Sequence, residues 1–393
     1  MKICIITPIF PPEIGGPATY SYELARRLRD NHSVRIVTRT DSPDHLGGVD
    51  IFRIPFGIFE PIRRNFPYRV LRFLNGWKNL FLYLVRNRKH YDLLYFLATD
   101  KLGLAALLYA LVLRKPAVLK FVGDDVWEAA FRRGKTSQLL DAFLKSPPDD
   151  PWVKAWLKVE RFILNRASAI ITPSYYLKDL LVEGHGVNPD KITVIPNATD
   201  VMDHERDGIE LNYGKPLLCT IGRFVPWKGI GGIIEIMPSI LARYPQAALL
   251  IIGEGPQREK YGALVKKMGL EKRVFFLGKR GHRETMGILK SCDLFVLNSG
   301  YEGLPHTVIE AMSCKVPVVA TRIGGTRDVI QDGVTGWSVE LENRDDLLDK
   351  VIHVLENEEI RREVTERAYE MVRNQFSWEK TVPKLEAVLG EMI

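Results

Sequence analysis

The 393-residue chain has no apolar run near the roughly twenty residues that a membrane-spanning helix needs. The nearest candidate, Leu102 to Leu113, has the length of a buried core helix. Cysteine is scarce: Cys4, Cys219, Cys292 and Cys314 stand far apart, in or beside apolar strands. No metal-ligand spacing links them, so they read as small core residues in a reducing cytoplasm, and no zinc site is expected. No signal peptide is read at the start, because Met1-Lys2 runs straight into Ile3-Cys4-Ile5-Ile6. Also missing is the glycine fingerprint of dinucleotide binding. After the first strand comes Phe10-Pro11-Pro12-Glu13-Ile14-Gly15-Gly16-Pro17, whose glycines arrive late and behind two prolines, which weighs against a nicotinamide enzyme.

Acidic residues are nearly absent from Phe52 to Tyr91, where nine Lys and Arg face Glu60 alone and eight aromatic residues are interleaved between those two aromatic ends. Such a stretch suits an anionic membrane surface, and suits equally an ordinary surface helix whose aromatics are core. The net charge of +7 is correspondingly one-sided: residues 1–200 hold 29 Lys+Arg against 20 Asp+Glu.

What is present is globular in composition, with 46% hydrophobic and 26% charged residues, and long enough for two domains. Apolar strands at Lys2–Pro8, Val34–Thr38, Asp50–Ile54, Leu93–Phe96, Ala117–Phe121, Ala169–Thr172 and Ile192–Ile195 alternate with helical patterns, the rhythm of an α/β parallel sheet. Ser174 reads as a helix cap. Residues 200–214 are polar and poorly periodic, hence a linker between a first domain over 1–199 and a second over 215–375. In the second, strands at Leu217–Ile221, Ala248–Ile252, Val274–Leu277, Leu294–Leu297 and Val316–Ala320 repeat the rhythm.

The richest stretch lies between the last two of these strands. Pro305 stands where a helix should begin, so backbone amides near Gly303, Leu304, Pro305, His306 and Thr307 would favour a phosphate at that helix start. Glu310, a turn further in, is placed to accept hydrogen bonds from a ribose, with Glu302 on the loop side.

Glu302 and Glu310 in Glu-x7-Glu spacing, then Ala311-Met312-Ser313-Cys314 and Pro317-Val318-Val319-Ala320-Thr321, resemble the signature of the retaining glycosyltransferases of family four, the group 1 glycosyl transferases. Lys315 departs from the pattern, which has Gly there. A helix end favours Gly for its left-handed geometry but also favours a cation. Gly222-Arg223-Phe224-Val225-Pro226-Trp227-Lys228-Gly229 is similar to the family's donor-phosphate motif, Gly253-Glu254-Gly255-Pro256 to its Gly-x-Gly-Pro, and Pro196-Asn197-Ala198-Thr199-Asp200 to its domain crossing.

The resemblance implies two facing Rossmann-like domains (GT-B), with residues 376–393 as a helix returning to the first. It implies transfer of a sugar from a nucleoside diphosphate to an acceptor hydroxyl with retained configuration. Arg223 and Lys228 would stabilise the leaving diphosphate, Gly15 and Gly16 would approach donor phosphate or sugar, and Glu302 would serve the transferred sugar. The first-domain loop where the family often offers a His reads Val122-Gly123-Asp124-Asp125, so Asp124 or Asp125 takes that place. No metal or other cofactor is expected. The expected partners are a nucleotide sugar and a lipid-linked or saccharide acceptor, met from the cytoplasmic face of a membrane, and no nucleic acid. A nucleotide-sugar epimerase and a non-catalytic sugar-nucleotide-binding protein remain as rivals.

Overall fold

The computed structural model describes every residue except Ile14, 40–44, Gly47, 55–77 and 202–208. The chain divides into two compact units, Met1–Ile195 with Val382–Ile393, and Pro196–Thr381. Much of the basic, aromatic stretch read from sequence, and part of the linker, lie outside the described residues.

In the first unit, β1 (Lys2–Thr7) is buried along five of its six residues, so apolar side chains on both faces find cover. The helix α1 (Gly16–Leu28) turns Ala18, Leu24, Ala25 and Leu28 inward at helical spacing. Next come β2 (Ser33–Thr38), β3 (His45–Leu46) and β4 (Val49–Arg53), and later β5 (Leu93–Phe96), α2 (Lys101–Leu113) and β6 (Ala117–Lys120). They are followed by α3 (Asp125–Arg132), α4 (Leu140–Lys145), α5 (Pro151–Arg166), β7 (Ala169–Thr172), α6 (Tyr175–His185) and β8 (Ile192–Val194). Ser174 caps α6 by accepting from the Leu177 amide, as its sequence position suggests. The eight strands run in the order β3-β4-β2-β1-β5-β6-β7-β8, all parallel except the β3–β4 pair. The order reverses between β1 and β5, so the loops after these strands border a crevice at the sheet's carboxyl edge.

The second unit repeats the plan with β9 (Leu217–Ile221), α7 (Ile230–Arg243), β10 (Ala248–Ile252), α8 (Arg258–Lys267), β11 (Val274–Gly278) and α9 (His282–Lys290). It continues with β12 (Leu294–Leu297), α10 (His306–Ser313), β13 (Val318–Thr321), β14 (Trp337–Val339), α11 (Arg344–Glu356) and α12 (Glu358–Gln375), and α13 (Trp378–Gly390) begins in it. Its six strands are all parallel in the order β11-β10-β9-β12-β13-β14, a doubly wound sheet that reverses between β9 and β12. Two apolar clusters pack its faces, one holding Cys219, Cys292 and Cys314 and the other the Ile-rich side of α7. All four cysteines are buried and free, as small core residues should be.

The strand expected over Val316–Ala320 runs instead over Val318–Thr321. Val316 still belongs to the helix end: its amide donates to Ala311 O at 2.9 Å and that of Lys315 to Met312 O at 3.1 Å, the paired bonds of a left-handed helix stop. Lys315 takes the glycine conformation, with φ of 54°. It is held by both Glu366 carboxylate oxygens, at 2.8 and 2.6 Å, and lies over the Tyr369 ring at 4.7 Å.

Candidate active site

The loop that leaves β9 and the loop that leaves β12 meet at the reversal point of the second unit's sheet. Lys228 donates to Glu302 Oε1 at 2.6 Å, and Glu302 is only 8% exposed. The pair stands because the backbones interlock. Gly300 N donates to Trp227 O at 2.6 Å, and Asn298 Nδ2 to Gly229 O at 3.1 Å. Gly229 has φ of 59°, and a Cβ there would lie 1.8 Å from Asn298 O, so only glycine permits this approach. From the other side Gly325 N donates to Glu302 O at 2.8 Å, and a Cβ on Gly325 would meet Gly303 O at 2.1 Å.

Arg223 is exposed at the same edge, its guanidinium 5.9 Å from the Trp227 ring centroid. Its segment is clasped by the Gly253–Pro256 loop: Gly222 N donates to Ile252 O and Phe224 N to Glu254 O, at 3.0 and 2.8 Å. Beyond that loop lies a cleft of about 480 Å³ lined by Gly253, Glu254, Gly255, Arg258, Phe276 and Gly278.

Pro305 is the cap of α10 and not its first residue, one position earlier than the sequence suggested. It carries no side-chain acceptor, and no side chain caps this helix end. Glu310 lies one turn in. Burial pushes its carboxyl up to about 7. Two imidazoles stand near its Oε1, His306 Nδ1 at 3.8 Å and His282 Nδ1 at 3.5 Å. Sequence reasoning missed His282, which starts α9 and reaches this site from the end of the loop after β11. Thus the second unit gathers Arg223, Lys228, Glu302 and Glu310 along one sheet edge.

In the first unit, Gly15 is the cap of α1 and Gly16 its exposed first residue, following the loop that leaves β1. No side chain caps this helix end either.

The two aspartates, equals in the sequence, differ in the structure. Asp124 is buried: its Oδ1 accepts from Trp127 N at 2.6 Å, capping α3, and its Oδ2 pairs with His185 Nε2 at 3.1 Å. Both oxygens are engaged inward, so Asp124 is corrected from a substrate-facing group to a helix cap. Asp125 is exposed, with one oxygen held by the amide and hydroxyl of Thr99 at 2.8 and 2.9 Å.

Two family models divide the chain: Glycosyltransferase Family 4 matches residues 14–202, and Glycosyl transferases group 1 matches residues 201–371. N-acetyl-alpha-D-glucosaminyl L-malate synthase of Bacillus anthracis is 31% identical over 239 residues, 59% of this chain and 62% of that protein. An uncharacterized glycosyltransferase of Methanocaldococcus jannaschii is 27% identical over 398 residues, 96% of this chain and 95% of that protein. The matches to the first curated relatives span 62% of those proteins' length. Among solved structures, sucrose-phosphate synthase from Thermosynechococcus elongatus has a TM-score of 0.78 at 21% identity, covering 99% of this chain and 98% of that one. Anabaena HepE in complex with UDP has a TM-score of 0.74 at 20% identity over the whole of both chains. These structures share the fold, two parallel-sheet α/β units of GT-B type. With the two family models in sequence over residues 14–371, and the Glu-x7-Glu and Arg-Lys elements on one sheet edge, the chain belongs to the group 1, family 4 glycosyl transferases.

Proposed function

We propose that this protein transfers a sugar from a nucleoside-diphosphate sugar to an acceptor hydroxyl with retention of configuration. The observation that carries the reading is the Lys228–Glu302 pair beside exposed Arg223, opposite a helix start without a side-chain cap. As the glycosidic bond breaks, negative charge concentrates on the leaving phosphate. Cations fixed beside it stabilise the transition state more than the ground state. Arg223 and Lys228 are those cations, so the diphosphate needs no metal of its own. The start of α10 receives a phosphate oxygen, and Glu310 accepts from the ribose hydroxyls. The cleft at Gly253–Gly278 has room for the base. HepE, a fold neighbour, has been crystallised with UDP and with UDP-glucose, which makes uridine the first nucleotide to try.

Retention follows from front-face attack, in which the leaving phosphate itself helps to deprotonate the incoming hydroxyl, so no dedicated protein base is required. Of the two aspartates, Asp125 is the one with surface to offer an acceptor. The acceptor is lipid-linked or a saccharide, and an anionic membrane surface is where a lipid-linked one would be met. The test is a panel of nucleotide sugars screened by thermal stabilisation, then product analysis with candidate acceptors and anomeric assignment by NMR. A ligand at a hundred times its Kd adds about 2.7 kcal/mol. Product of inverted configuration overturns retention. An altered sugar nucleotide formed without acceptor overturns transfer in favour of epimerisation.

A further inference from the structure

Beneath the loop that joins β6 to α3, Glu160 and Thr99 form a buried polar pair, to which the proposed transfer gives no role, behind Asp125. Glu160 on α5 is fully buried. Its Oε1 lies 2.6 Å from Thr99 Oγ1, which also lies 2.9 Å from Asp125 Oδ2. A hydroxyl has one proton to give. Two ionised carboxylates cannot both accept it, so one of the two groups must itself donate to the threonine oxygen. Asp125 Oδ2 already accepts the Thr99 amide at 2.8 Å, which favours its ionised form; burial of the carboxyl, with Asp100 nearby, raises it to about 6, which still leaves it mostly ionised at neutral pH. Glu160 has no such help: its second oxygen is buried without a hydrogen-bond donor, and its neighbour Asp124 is a carboxylate engaged with His185. Ionising Glu160 would leave an unpaired charge in the interior beside two others.

We propose that Glu160 is a positioning residue, a carboxylic acid held in its neutral form, which donates through Thr99 to Asp125 and so fixes the loop Val122–Asp125 at the carboxyl edge of the first unit's sheet. The chain runs Glu160 O–H to Thr99 Oγ1, then Thr99 O–H to Asp125 Oδ2. The 2.6 Å separation is that of an O–H···O bond. Thr99 follows β5 and Asp125 follows β6, so one neutral acid ties together the loops of two neighbouring strands. Burial raises the Glu160 carboxyl well above its ordinary range, with Asp124 adding to the rise. The charged or titratable groups around it are Asp124 and Asp125, His185 on α6, Asp100 beyond Asp125, and Lys101 on α2, whose ammonium lies 5.8 Å from the Trp156 ring of α5.

Asp124, Glu160 and His185 also bring three ligand atoms within 4.8 Å of one another, so a cation is the alternative that the test must separate. The infrared difference between wild type and Glu160→Gln at neutral pH, in which the partly protonated Glu310 cancels, should show the carbonyl stretch of a protonated carboxylic acid, and the same component should be kept in Asp125→Asn. No such band, or loss in Asp125→Asn alone, overturns the proposal. Hydrogen exchange supplies the positioning readout. The Thr99 and Trp127 amides, held by Asp125 and Asp124, should exchange at least tenfold faster in Glu160→Ala, with amides of the second unit unchanged. Glu160→Gln, which mimics the neutral acid, should restore them. Unchanged exchange in Glu160→Ala overturns the role. If that variant fails to fold, the infrared band and the Glu160→Gln exchange decide alone. A thermal shift on adding zinc or manganese to the wild type, abolished in Glu160→Gln, would make the cluster a cation site and overturn the neutral acid.

Discussion

Lys228 and Glu302 neutralise each other at 2.6 Å, so a donor diphosphate must draw the ammonium away from the carboxylate or share it. Replacing Lys228 therefore does two things: it removes a cation from the leaving group and strands a largely buried carboxylate. Arg223→Ala and Lys228→Ala should each lower turnover ten- to a thousandfold, about 1.4–4 kcal/mol of transition-state stabilisation. Only Lys228→Ala should also lower thermal stability, and adding Glu302→Gln to it should recover stability without recovering turnover. Near-normal turnover in both single variants would remove these residues from the mechanism.

Glu310 gives a pH signature. Its carboxyl is raised from 4.5 to about 7 in the folded chain, so between those values the folded state binds more protons than the unfolded. Its contribution to stability is full below pH 4.5 and is lost as pH rises through about 7. Thermal melts should show Glu310→Gln losing less stability than the wild type between pH 5 and pH 8. In calorimetry with bare nucleoside diphosphate, Glu310→Ala should weaken binding and Glu302→Ala should spare it. Equal losses would mean that the ribose role is misassigned. These residues were legible because one motif carries them at fixed spacing. Glu160, His185 and His282 were not, because each meets its partners across 60 or so residues or from a neighbouring loop, and a lone Glu or His on a helix reads as an ordinary surface residue.

At the scale of elements, strand positions were legible wherever four or five apolar residues run together, as at Leu93–Phe96, Leu217–Ile221 and Leu294–Leu297, since strands covered on both faces need such runs. Two short strands, β3 and β14, were missed outright, and the other misses came at element ends. Val316 is as apolar as a strand residue, yet its amide is spent closing α10, and periodicity carries no sign of where a backbone hydrogen bond goes. The tie between the β9 and β12 loops depends on Gly229, which the sequence offers as a glycine allowing close approach but without the Asn298 backbone it approaches. Gly229→Ala should cost about 1–3 kcal/mol in denaturant unfolding, because it forces a side chain both into a left-handed backbone and onto Asn298 O. It should also weaken nucleotide binding through displacement of Lys228. A variant as stable as the wild type would show that the two loops can part without cost.

Over the whole molecule the basic excess falls in residues 1–200, most of it in the stretch 52–91, much of which lies outside the described residues. No helix among the described residues is long and apolar enough to cross a membrane. Arg63, Arg64, Arg69 and Arg72 lie outside the described residues. The described helical residues 78–86 leave Phe81 exposed, and beside them α2 presents Leu108, Leu111 and Val112, the last 66% exposed. Lys78, Phe81, Leu108 and Val112 share a shallow cleft of about 340 Å³. Arg86, Arg88, Lys89 and Arg114 are exposed on the same two segments. Apolar side chains within a cationic surround suit an anionic interface, where each nearby Lys or Arg adds about 1 kcal/mol and the apolar groups enter the headgroup boundary. The protein should therefore sediment with vesicles containing anionic lipid at low salt and release as salt is raised. Reversing the charge of Arg63, Arg64, Arg69 and Arg72 together should weaken binding by removing the electrostatic part. Leu111→Ser with Val112→Ser should weaken what survives at high salt. A wild-type protein that stays in the supernatant with such vesicles at low salt would turn the search to a soluble acceptor.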